Sequence, residues 1–267
     1  MPYRTKKLIC KVTVLALLLL AVAAYWKKDE LLRLLQRRRP VPVARTADEA
    51  AVSADNSQPA EVRTESTQSV DPPRTERMAP ESYNLKVPFS SQAPFAVWDH
   101  RDEEACEEAS LLMAHRYYEG RGIDGPSDAR QAIDEIIEWE KANLGGVWES
   151  TTAEELLAAA RGMLGYKQAY ITRNPSVRTI KEAVSSGHPV LAPAAGRQLK
   201  NPFYKQPGPL YHMLVIKGYD GDEFITNDPG TRRGADYRYK FGVVLDANHD
   251  WNDGDVGNGA KVMIVLK

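Results

Sequence analysis

The sequence predicts an α+β domain, and three observations carry that prediction. Helix-periodic apolar segments fill residues 103–186, whereas strand-like runs follow from Pro189 to the C-terminus; helices segregated from strands in this way mark the α+β order. Asp220-Gly221-Asp222 separates two such runs and reads as a hairpin turn, so the strands pair antiparallel. The chain has 267 residues, 43% of them hydrophobic, enough to build a sizeable core in one or two domains.

Leu85 to Pro88 reads as a short edge strand, stopped where proline removes a donor. A helix is expected from Glu103 to Tyr118, with Ala109, Leu112, Met113 and Tyr117 at helical spacing and Gly120 past its end. Ser127 is the expected cap of a second helix bearing Ile133, Ile136, Ile137 and Trp139. Thr151-Thr152-Ala153-Glu154 has the capping-box form and opens a third helix towards Leu164. A fourth covers Val177–Ser186 and ends at Gly187. Pro189–Ala192 reads as a buried strand, His212–Tyr219 and Glu223–Asn227 as the hairpin, and Lys261–Leu266 as a closing strand.

The first 39 residues read as a signal anchor and juxtamembrane segment. Arg4, Lys6 and Lys7 precede fifteen uncharged residues, Val12–Trp26. That length is typical of a signal-peptide apolar region and short for a span. Tyr25-Trp26 before Lys27-Lys28 favours retention at an interface; Ala21-Val22-Ala23 offers a cleavage pattern and hence a secreted alternative. Residues 40–82, rich in Pro, Ser, Thr and Glu, are expected to be a disordered linker, because such composition buries too little surface to offset ordering entropy. The folded domain is expected over 83–267, on the outer side of a cell membrane.

Charge and cysteine usage narrow the function. Residues 1–80 carry 14 Lys+Arg and 9 Asp+Glu, a net of +5, which leaves 21 and 27 for residues 81–267, a net of −6. An acidic domain argues against nucleic-acid binding, which needs clustered positive charge. Two cysteines exclude a disulfide framework and a Cys-rich zinc site. His100, His115, His188 and His249 lack metal-ligand spacing, and the Asp-rich stretch from Asp246 has Trp251 where a calcium loop needs glycine. No cofactor is expected.

Cys106 concentrates the chemistry. It has no cysteine partner in the domain and stands where a polar loop becomes a helix, whose positive end favours thiolate. A lone Cys with a distant His and a distant Asp or Asn is the pattern of a thiol hydrolase. His212 begins the hairpin and Asn227-Asp228 ends it, so either residue of that pair is placed to orient the imidazole. A small core cysteine beside an ordinary strand histidine explains the same residue types. Glu103, Glu104, Glu107 and Glu108 surround Cys106 and disfavour thiolate if they face it; first-turn carboxylates that complement the dipole and point to solvent are the simpler expectation.

Five segments in order resemble the peptidase C39-like family, relatives of the peptidases that cut double-glycine leaders from bacteriocins. They are Val87-Pro88-Phe89 with Gln92, Ala105-Cys106-Glu107-Glu108-Ala109-Ser110, Gly187-His188-Pro189-Val190, the His212 strand, and Asn227-Asp228-Pro229-Gly230. The resemblance covers about residues 84–267. It implies a papain-like fold and a peptide or protein substrate. Cys106 is implied as nucleophile, His212 as base, Asp228 as the group orienting it, and Gln92 as oxyanion donor. No transporter segment follows, so leader processing is not implied. A silent binding module of the same fold and an amide-transfer enzyme are the alternatives.

Overall fold

The computed structural model describes residues 40–55 and 79–267. The expected anchor (1–39) and most of the expected linker lie outside the described residues. No helix among the described residues is long and apolar enough to cross a membrane.

The architecture is α+β, built on one antiparallel sheet of seven strands. The strands are β1 (Ser82–Asn84), β2 (Tyr170–Arg173), β3 (Val190–Ala195), β4 (Tyr211–Asp220), β5 (Glu223–Asn227), β6 (Tyr237–Lys240) and β7 (Val262–Val265). Their order is β2-β7-β3-β4-β5-β6, with β1 also paired to β4. β4 is the spine. Its first half pairs with β3, Tyr211 opposite Ala195, and its second half with β1, Asp220 opposite Ser82. Nine of its ten residues are buried, as expected for a strand covered on both faces. Gly218 sits at a bulge against β5, where a Cβ would meet the Tyr83 carbonyl at 2.6 Å, so the backbones approach too closely there for any side chain.

The helices are α1 (Ala47–Asp55), α2 (His100–Glu104), α3 (Cys106–Tyr118), α4 (Pro126–Asn143), α5 (Ala153–Gly162), α6 (Val177–Ser185) and α7 (Phe241–Ala247). α3 is almost wholly buried and packs on β4, with α4 and α5 against it. Several expectations shift. The single helix from Glu103 breaks at Ala105 (φ −90°, ψ 31°) into α2 and α3, so Cys106 opens its own helix. α4 is capped by Gly125 with Pro126 at its first position, because a proline there loses no hydrogen bond; Ser127 lies inside the helix. The capping box of α5 is Thr152 with Glu155, one residue later than expected. β2, β6 and α7 come from segments that gave no clear signal.

The expected linker fails over its first third. Arg45 bridges to Leu85, its N–H donating to the Asn84 carbonyl at 2.9 Å, and Ala50 is fully buried, where a Cβ on Gly187 would lie 3.0 Å from its own. Tertiary packing through one small residue overrides the composition of this stretch.

One core feature sets a pH dependence. Glu108 of α3 and Glu140 of α4 are both fully buried and interact with each other, and among the described residues neither has an ion pair to a cation. Burial, then the Glu108 charge, raises the Glu140 carboxyl far above its ordinary 4.5, so the fold holds a proton that the unfolded chain releases. Stability from this group is full below that ordinary value and is lost as pH rises towards the folded value. One proton corresponds to a slope of about 1.4 kcal/mol per pH unit. Glu140→Gln is expected to flatten the decline between pH 5 and 7 by about that slope, read by urea unfolding. An unchanged slope would assign the proton elsewhere.

Candidate active site

A cleft of about 920 Å³ holds Gln92, Cys106 and His212 in its lining, brought from a loop, a helix start and a strand. Its walls are the 203–211 loop, the 230–233 loop, Glu103, Glu104 and Glu107 near the start of α3, and Trp98, Ser150 and Trp251.

His212 is 1% exposed and fixed on every side. Its Nε2 lies 2.8 Å from Asp228 Oδ1. The Tyr204 ring meets it edge-on at 5.3 Å between centroids. Cβ atoms on Gly196 and Gly230 would approach it to 3.1 Å and 2.9 Å, so both neighbours are glycine by necessity. Asp228 is fully buried and accepts five hydrogen bonds. Oδ1 receives the imidazole and the Gly230 N–H (3.0 Å); Oδ2 receives Asn201 Nδ2 (3.0 Å), Tyr204 OH and Tyr239 OH (both 2.6 Å). Burial alone would raise this carboxyl, but the His212 charge and these donors hold it below its ordinary range. An ionised Asp228 only accepts, so Nε2 carries the proton and Nδ1 is left for the cleft chemistry.

Asn227, the other candidate at the strand end, faces elsewhere. Its amide donates to the Val87 and Pro88 carbonyls (3.1 and 2.9 Å) and braces the segment leading to Gln92. Gln92 in turn donates from Nε2 to the Asp102 and Glu103 carbonyls (2.8 and 3.0 Å), closing the end of α2 just before Cys106. Its N–H and the Ser91 hydroxyl both donate to the Pro229 carbonyl (3.1 and 3.2 Å). Gln92 Oε1 is buried without a partner. The Gln92 loop therefore ties the Asp228 turn to the helix that presents Cys106.

Cys106 is 4% exposed, and its Sγ–H donates to Glu107 Oε2 at 2.9 Å rather than to His212. The Met213 N–H, next in chain to His212, also faces the sulfur. The expectation that the neighbouring carboxylates point to solvent is corrected here: Glu107 and Glu108 are fully buried, Glu104 is half-buried, and Glu103 alone is exposed. α3 lies deep enough between sheet and helices that its whole first turn is enclosed. Burial, then Glu107, pushes the thiol well above its ordinary value, and burial pushes Glu107 upward too. Tyr211 of β4 completes this layer, donating to the Thr151 carbonyl (3.0 Å) and Asp250 Oδ1 (3.3 Å).

Sequence reasoning named Cys106, His212, Asp228 and Gln92 and missed Asn201, Tyr204 and Tyr239. Those three stand in loop and edge-strand contexts without period or motif. Chemically, the site offers a thiol, an imidazole of fixed tautomer and a stabilised counter-charge in one cleft, the parts needed for nucleophilic acyl transfer.

The model of the Peptidase C39 like family matches residues 84–253. Among solved structures the chain is similar to a candidate C39-like peptidase from Bacillus anthracis, at 19% identity and a TM-score of 0.45, over 70% of this chain and 98% of that one. No curated protein matches the chain.

The Cys106–Glu107 contact gives a direct test. Glu107→Gln removes the charge and keeps a polar partner for sulfur. Iodoacetamide alkylation of Cys106 is expected to accelerate by about tenfold wherever Glu107 is ionised and opposes thiolate. A variant-to-wild-type ratio near one from pH 6 to 9 would show that Glu107 does not restrain the thiol.

Proposed function

The chain belongs to the peptidase C39-like family, and on that premise we propose that it is a cysteine peptidase of papain-like fold working through Cys106, His212 and Asp228. The observation that carries this reading is His212, fixed by the buried Asp228 behind it, lining the same cleft as a thiol at a helix start. In this reaction His212 Nδ1 takes the Cys106 proton, and sulfur attacks the scissile carbonyl carbon. The C–N bond breaks as the imidazolium returns the proton to the leaving amine, and water then hydrolyses the thioester. Asp228 stabilises the imidazolium without taking its proton. Gln92, whose Nε2 stands beside the last carbonyls of α2, turns one N–H to the oxyanion, alongside the Cys106 backbone N–H. Residues 1–39 would anchor the enzyme to the membrane with this domain outside the cytoplasm.

The buried thiol bonded to Glu107 favours a second reading, a binding module that keeps the site without turnover. Cys106→Ala separates the two. For a peptidase, hydrolysis of a degenerate peptide pool is expected to fall by at least about 10⁴-fold, and Asp228→Asn is expected to cost about as much by misplacing the imidazole proton. Gln92→Ala is expected to lower kcat by about 10²–10³-fold. Hydrolysis that survives Cys106→Ala would eliminate this nucleophile, and a wild type that binds but never cleaves would establish the module.

A further inference from the structure

The loop after Asp228 is stitched to the site at every step. The Gly230 N–H donates to Asp228 Oδ1 (3.0 Å), the Arg233 N–H to Thr231 Oγ1 (3.2 Å), the Gly234 N–H to the Thr231 carbonyl (3.1 Å), and the Asp228 N–H to the Gly234 carbonyl (3.0 Å). Gly230 abuts the imidazole: a Cβ there would approach His212 Cε1 to 2.9 Å. The tip of this loop, Arg232-Arg233, therefore has a set position relative to His212.

Both arginines are exposed, and both line the cleft. Neither makes an ion pair or a side-chain hydrogen bond among the described residues. Other arginines are engaged: Arg101, Arg116, Arg130, Arg173 and Arg238 each hold a carboxylate, and Arg161 and Arg197 donate to the Ala169 and Gly208 carbonyls. The guanidinium of Arg233 stacks on Phe203 at 4.7 Å from the ring centroid, which orients it and leaves its N–H edge open. Acidic groups line the cleft near the thiol: Glu103 and Glu104 come just before Cys106 in the chain, and Lys205 reaches Glu103 at 3.8 Å.

This polarity has a direction along the substrate. The acyl half of a peptide stays on Cys106, whereas the leaving amine takes its proton from His212 and so departs on the His212 side. The 230–233 loop borders that side. We infer that Arg232 and Arg233 form a carboxylate-binding subsite for the leaving-group half of the substrate, so that the enzyme selects peptides carrying a carboxylate just beyond the scissile bond. The inference deepens the peptidase reading and rests on it for the direction of the chain. An Arg fork matches a carboxylate with two parallel hydrogen bonds. The carboxylate has two sources, an Asp or Glu side chain or the free C-terminus of a short leaving fragment.

The test uses the full chain and three degenerate peptide pools of equal length. One has Asp at the last two positions and an amidated end, one has Asn there with an amidated end, and one has Asn with a free carboxylate end. Binding is read by fluorescence anisotropy on Cys106→Ala, and cleavage by kcat/KM on the wild type. Carboxylate-bearing pools are expected to bind about tenfold tighter than the neutral pool, with the advantage shrinking in high salt. In Arg232→Gln/Arg233→Gln, whose changed side chains are exposed, the advantage is expected to fall below about twofold. Preference for the Asp pool identifies the side chain as the source, and preference for the free-acid pool identifies the C-terminus. Equal binding of all three pools, or an advantage that survives in the double variant, overturns the subsite. The two failures are distinguishable: discrimination by Cys106→Ala without any cleavage by the wild type sinks the peptidase reading alone, and indiscriminate cleavage by the wild type sinks the subsite alone.

Discussion

The buried carboxylate of Asp228 is the interaction on which the site depends. An ionised group without solvent is costly to bury unless its lone pairs are filled, and here five donors fill them. Those donors come from β4, from the 201–204 loop, from β6 and from the turn beyond Asp228 itself. Satisfying one charge thus fixes His212, one wall of the cleft and the loop carrying the arginines. The adjoining Pro229 carbonyl extends the same network to Ser91 and Gln92, and through Gln92 to the end of α2. Removing one donor would leave the carboxylate underpaired and loosen several walls together.

The opposite side of the cleft follows a different electrostatic logic. Around Cys106 the carboxyl groups of Glu107, Glu108 and Glu140 are enclosed with no cation beside them, so burial drives them towards their neutral forms. The thiol is held neutral by the same burial. The cleft therefore sets a stabilised negative charge beneath the imidazole against a nucleophile that stays protonated in the free protein. Its ionisation depends on His212 receiving the proton while Asp228 stabilises the resulting cation. The Met213 N–H and the amide end of α3 are what this side offers to a developing thiolate.

Much of this arrangement was legible in the sequence, for definable reasons. The hairpin of β4 and β5 follows from Asp220-Gly221-Asp222 between two apolar runs, and the start of α5 follows to within one residue from its hydroxyl and Glu spacing. Cys106 and His212 were found because an unpaired cysteine at a loop-to-helix transition, with a distant His and Asp, is the pattern of a thiol hydrolase. The break at Ala105 was not legible: the Asp102 and Glu103 carbonyls it frees are met by the Gln92 side chain, which arrives from outside the helix. Nor was the burial of Glu107 and Glu108: a carboxylate in a first turn looks the same in sequence whether it faces water or another carboxyl. Tyr204, Asn201 and Tyr239 converge on Asp228 from separate segments, and only the tertiary fold states that convergence. The stretch Tyr170–Arg173 is half polar because β2 is an edge strand, so its alternation is weak.

The docking of α1 bears on how the chain survives cutting. Residues 41–55 are held to the folded body through the Arg45–Leu85 bridge and Ala50 beside Gly187. A proteolytic nick between residues 56 and 78 would sever the backbone without removing these contacts. The upstream piece would then be retained as a non-covalent subunit, for as long as a short helix and one bridge outlast the entropy of its release. Detachment from whatever lies upstream would be a dissociation equilibrium, set by temperature and dilution, in place of an all-or-none cleavage.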